Sequence, residues 1–327
     1  MITAILGLLF LPEFYGLVLL HETAHALTGR AVGFRFAVLQ VGRLGIVRDA
    51  RGTRFVGRRV LKGPSGLYLP VPIGTRAPVL RFALTVAAGP LANLAVALLL
   101  LRAAGGYQPT NPFSSATPLP VTILTGIAFV SMIIFVATLL PITSKGHPSD
   151  GAQLCLLVRG GEVAKRHVAV SVLSSLIFTG TRYRDLPLDQ LETALSAPDG
   201  TRDSLRAHLL AYYWALDRGD IEWALDLLTK ASSLCADTER TTRATITLEL
   251  AYMLSRHFPR PDYARKLWNA AARDLCPPAL RLRTAAAINL LEGHIAATVE
   301  QAERALKQLG PLSWRGQATP PLRVRWA

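Results

Sequence analysis

The sequence predicts a mainly α-helical chain. A polytopic membrane core of about three spans carries a small β-rich cytoplasmic insertion, and a soluble all-α, repeat-like domain follows. Three observations predict it. Half of the 327 residues are hydrophobic and mean hydropathy is +0.31, yet 18% are charged, which suits a membrane part joined to a water-soluble part. Long apolar stretches lie at residues 2–20, 79–101 and 119–141. Beyond them the apolar residues thin out to helical periodicity. The expected domains are residues 1–184 and 185–327.

The first stretch is apolar apart from Glu13 and runs into His21–Gly29 with no helix stop signal. A helix over all of it would span about 42 Å, more than the ~30 Å of a bilayer core, so residues 21–25 belong near the inner end of the span. Pro12 is tolerated there as in other membrane helices. No basic n-region or clear cleavage site marks this segment as a signal peptide, so it reads as a retained helix.

Charge places the loops. The formal net charge is +14; residues 26–81 hold eleven Lys/Arg against one acid, Asp49, while residues 103–118 hold no charge. Positive-inside asymmetry accounts for this better than nucleic-acid binding, and no nucleic acid is expected as a partner. Three spans with a basic loop after the first put the N-terminus outside and the C-terminal domain in the cytoplasm of a multi-pass cell-membrane protein. Within the basic loop, residues 34–41 and 45–48 read as short strands, with 50–53 as a turn. The segment 168–180 is apolar but too short for a span, so it reads as interfacial or reentrant. Cys155, Cys235 and Cys276 form no CxxC pair and read as small buried hydrophobes.

The chemistry centres on His21-Glu22-Thr23-Ala24-His25. Positions i and i+4 share one helix face, so His21 and His25 can offer two imidazoles to one metal ion. Glu22 then lies beside a metal-bound water without being a ligand. Zinc suits the set, because catalytic zinc takes three protein ligands and leaves one position for water. Ionisable side chains within a span cost about 2.5–3.5 kcal/mol each at its centre and are functional by default. The bland alternative is a helix end whose polar groups sit among lipid headgroups. Gly89-Pro90 reads equally as a packing notch, and His257 and His294 as surface residues of the soluble part.

HExxH at the end of one span, Gly89-Pro90-x-x-Asn93 in the next, and Pro141 followed by Asp150-Gly151 after another together resemble the site-2 protease family of intramembrane metalloproteases. The resemblance covers roughly residues 1–158. It implies His21, His25 and Asp150 as ligands of one zinc ion, Glu22 as general acid/base, and Asn93 beside the bound substrate. The chain departs from the family pattern at Thr138, where Asn is common, and in the longer interval from Pro141 to Asp150. His147, three residues before Asp150, is the rival third ligand. The implied function is hydrolysis of peptide bonds in membrane-protein substrates, within or next to their spans.

Three later segments, starting at Ala211, Ala251 and Ala285, share small residues at positions of close helix approach. Their spacing resembles tetratricopeptide-type helical hairpins, with an ordinary helical bundle as the alternative. The expected partners are a membrane-protein or peptide substrate, the lipid bilayer, and a protein bound to the helical domain. The competing function is a catalytically inactive membrane anchor whose helices hold a partner protein.

Overall fold

The structure, a computed structural model, describes residues 2–49, 52–57, 66–72, 79–105, 118–144, 147–196, 201–236, 238, 240–271 and 276–308. The chain divides into two compact units, Met1–Ala164 and Lys165–Ala327.

In the first unit, α1 (Ile2–Ala31) is an unbroken 30-residue helix with Pro12 inside it. Gly33, at φ +92°, turns the chain back, a conformation that costs glycine no Cβ clash. A four-stranded antiparallel sheet follows: β1 (Phe34–Val41), β2 (Leu44–Asp49), β3 (Gly52–Val56) and β4 (Gly66–Pro72), in the order β3-β2-β1-β4. Val38 pairs with Val47 on one side, and Leu39 with Tyr68 on the other. The sheet lies alongside α1 instead of hanging below its end. Gly42, at the β1–β2 turn, sits so close to the Tyr15 ring in the middle of α1 that a Cβ there would crowd it at 2.9 Å.

Helices α2 (Val79–Ala103) and α3 (Leu119–Leu139) complete the core of this unit. Leu17 and Val18 of α1 and Ile134 of α3 form its apolar centre, with Val41 and Val96 packed against them. Both α2 and α3 are long and apolar enough to cross a membrane, and most of the apolar stretch of each lies outside the protein interior. Two such helices stand, among the described residues, where three spans were expected. The first expected span, residues 2–20, is helical, but the side chains before Phe10 lie outside the described residues.

Between α3 and α4 (Asp150–Arg159) the chain makes a small detour. Two-residue strands β5 (Thr143–Ser144) and β6 (His147–Pro148) pair. The Ser149 N–H donates to the Ile142 carbonyl at 2.8 Å, and the Ile142 N–H donates back to Ser149 Oγ at 3.1 Å. Ser149 then caps α4 by accepting from the Ala152 N–H, the usual task of an N-cap serine.

The second unit is all helical among the described residues. α5 (Gly161–Phe178) begins just before it, and α6 (Leu188–Leu195) through α12 (Ile295–Gln308) make up the rest. The segment expected to be interfacial, residues 168–180, is instead mostly core helix: Ala169, Val170, Leu173 and Ile177 of α5 pack with Tyr212, Ala215 and Leu228. Thirteen apolar residues suit a buried helix as well as an interfacial one, and packing partners decide between them. The compact units accordingly divide near residue 165, not 185. Three consecutive pairs follow: α7 (Arg202–Arg218) with α8 (Ile221–Ser233), α9 (Arg240–Arg256) with α10 (Pro261–Ala271), and α11 (Pro278–Leu291) with α12. Their first helices begin at residues 202, 240 and 278, a step of 38 each time. Gly219 in the αL conformation ends α7, and Asp220 caps α8 through the Trp223 N–H.

One buried polar cluster ties these helices together. Glu249, fully buried on α9, accepts from the Tyr212 hydroxyl at 2.8 Å, the Tyr213 hydroxyl at 3.0 Å and the Arg283 guanidinium at 2.5 Å. Burial, and then the Glu249 carboxylate, push both tyrosine hydroxyls well above their ordinary range, so both remain donors.

Candidate metal centre

The HExxH segment is helical, as its spacing requires, and His21, Glu22 and His25 are all buried. The two imidazoles lie one turn apart, with ring centroids 4.7 Å from each other. Asp150, at the first turn of α4, brings its carboxylate to them. Its Oδ2 lies 3.0 Å from His21 Nε2 and 3.7 Å from His25 Nε2. One ligand atom from each residue falls within 4.8 Å of the others. The structure therefore brings together the three residues expected to hold the metal, although Asp150 lies 129 residues from His21. The His147 side chain lies outside the described residues. Thr138 turns its hydroxyl back on its own helix, donating to the Phe135 carbonyl.

The outer nitrogens of the two histidines settle what the inner ones can do. His25 Nδ1 lies 2.7 Å from the Thr85 carbonyl, which can only accept, so Nδ1 carries the proton. His21 Nδ1 lies 2.8 Å from Asn93 Oδ1, again an acceptor. In the neutral imidazoles both Nε2 atoms then present lone pairs, and both point at a carboxylate oxygen. Three acceptors converge with no proton among them, an arrangement that a cation satisfies. Metal-bound histidines characteristically hold their second nitrogen in this way.

Distances fit the same group. Tetrahedral zinc with bonds of about 2.0–2.1 Å places its ligand atoms about 3.3 Å apart, and the observed 3.0 and 3.7 Å bracket that value. Gly89 supplies the room. A Cβ there would stand 2.6 Å from His21 Nε2 and closer still to His25 Nε2, in the space an ion must use. Gly89 is thus more than a packing notch. Gly151 is constrained likewise, because a Cβ on it would overlap the Leu139 carbonyl oxygen. That contact lets α4 start hard against the end of α3.

Strand β4 flanks the motif. The space a Gly66 side chain would fill is taken by the Glu22 carboxylate. The Tyr68 ring stacks on His25 at 6.1 Å, and its hydroxyl occupies the position a Cβ on Gly29 would need. Asn93 is completely buried, with Oδ1 on His21. Its amide oxygen is engaged with His21, one of the residues expected to hold the metal.

Compared with family models, with curated proteins and with solved structures, the chain gives no match to any of them.

Proposed function

We propose that this chain is a site-2-protease-type intramembrane zinc metalloendopeptidase that hydrolyses membrane-protein substrates within or next to their spans. One observation carries the reading: two imidazole lone pairs and a carboxylate converge beside the buried Glu22, next to helices able to cross a bilayer. When bound, zinc supplies Lewis acidity toward a water and a peptide carbonyl. His21, His25 and Asp150 hold that group, and the Thr85 carbonyl and Asn93 hold the two imidazoles. Glu22 takes the proton of the attacking water on a carboxylate oxygen and returns it to the amine that leaves, so one water is consumed for each peptide bond broken.

The substrate must be locally extended, since a helical peptide has its carbonyls hydrogen-bonded already. Among the described residues β4 pairs only with β1, and an extended peptide added to its other edge would lie alongside Gly66 and Glu22. The basic segment 26–81 and the C-terminal helical unit belong to the cytoplasmic side in this proposal, and the tetratricopeptide-like helix pairs recruit a protein partner or the substrate. A reporter fused after Ala327 tests that topology.

The protease reading is tested by purifying the chain in detergent, measuring its zinc, and assaying a membrane-peptide substrate against Glu22→Ala. Stoichiometric zinc in both proteins, with cleavage by the wild type alone, is the expected result. Equal cleavage by the two would refute the mechanism, and wild type without zinc would favour the membrane-anchored scaffold.

A further inference from the structure

His25 is held by a backbone carbonyl, which no substitution at Thr85 removes. His21 is held by a side-chain amide, and an amide has two ends. With Oδ1 toward His21 the imidazole keeps its proton on Nδ1 and offers Nε2 to a metal. With the amide turned over, the NH2 group donates to Nδ1, the imidazole proton moves to Nε2, and an N–H points at the ion's place.

The neighbour that discriminates is Ser131, in the middle of α3 and completely buried. A hydroxyl has one proton, and Ser131 Oγ directs it to the Asn93 backbone carbonyl at 2.8 Å. Its lone pairs are left for Asn93 Nδ2, which donates to it at 3.3 Å. The NH2 end is thereby held on the α3 side, and Oδ1 is left for His21.

We propose that Ser131 is a positioning residue of the metal centre, acting through the Asn93 amide to set the His21 tautomer. The relay crosses all three long helices of the first unit, from α3 through α2 to α1. It rests on the metal-centre reading above.

The test is zinc affinity of the full chain in detergent, by competition with a chromophoric chelator. The unfolding midpoint of the zinc-free protein is followed in parallel. Ser131→Ala should weaken zinc binding about tenfold, the lower end for outer-shell partners, with the zinc-free midpoint little changed. Ser131→Thr, which keeps the hydroxyl, should restore most of the affinity. In an Asn93→Asp background both carboxylate oxygens accept, so there is no amide to turn, and Ser131→Ala should then cost nothing further. Wild-type affinity in Ser131→Ala overturns the proposal, and so does an equal loss in the Asn93→Asp background. Wild type that binds no zinc overturns instead the reading on which the relay rests.

Discussion

Both units hold a carboxylate among polar side chains, Glu249 fully buried and Asp150 partly so, and the two clusters treat it in opposite ways. Around Glu249 every acceptor has a donor of its own, and Arg283 is a cation supplied by the chain. Around Asp150 the chain supplies further acceptors, with both imidazole protons committed to the outer side. A buried charge is tolerable only when paired and hydrogen-bonded. The first cluster meets that condition internally and reads as architecture. The second has no such cation among its described neighbours and, in the function proposed above, would take one from solution. Burial of a charged group is therefore uninformative until donors and acceptors are counted.

The sharpest break in this contrast is at Gly89. Gly89→Ala puts a methyl group in the ion's place, and zinc content measured by mass spectrometry should fall from one per chain to near zero. Next, Glu22→Gln should keep the zinc and lose cleavage by about 10²–10⁴-fold, the usual worth of a general acid–base group. A rate assay on a membrane peptide checks it. In the second unit, Glu249→Ala leaves Arg283 buried without its partner and should destabilise by about 3–5 kcal/mol. Chemical denaturation should show this with zinc content unchanged, and replacing Glu249 and Arg283 together by Leu and Met should recover the part due to the unpaired Arg283, leaving the cost of the Tyr212 and Tyr213 hydroxyls without their acceptor.

The smallest effect is expected at Asp203. Burial raises its carboxyl, but hydrogen bonding to His167 at 2.6 Å, with Arg206 and Arg166 near, leaves it below the ordinary range. A folded-state value below the unfolded one stabilises above the unfolded value, about 3.9, and that contribution is lost as pH falls through the folded value. Asp203→Asn should flatten the acid limb of the stability curve below about pH 4, leaving the neutral region shifted by the lost pairing alone.

How much of this was legible follows from the range of each signal. Helical spacing of His21 and His25, and the strands at 34–41 and 45–48, are local patterns and appear where they were read. β4 was harder, because Pro70 and Pro72 argue against a strand and are tolerated at a sheet edge. The role of residues 168–180 was hidden because apolar content does not say whether lipid or helices cover it. Ser131 carried no local signal, being one hydroxyl in an apolar helix. Gly89 and Gly151 were legible as motif letters, but their reasons, two imidazole nitrogens and one carbonyl oxygen, belong to chain segments far away or one helix back.

The β5–β6 detour separates chain length from the placement of Asp150. Ile142 and Ser149 are bonded to each other, so the six residues between them leave and return to the same point. Length is therefore cheap there. Insertions or deletions between Ile142 and Ser149 should change the count from Pro141 to Asp150 and leave the carboxylate where it is. The clasp is also the place where a tag or a cleavable sequence can be spliced beside the proposed metal centre.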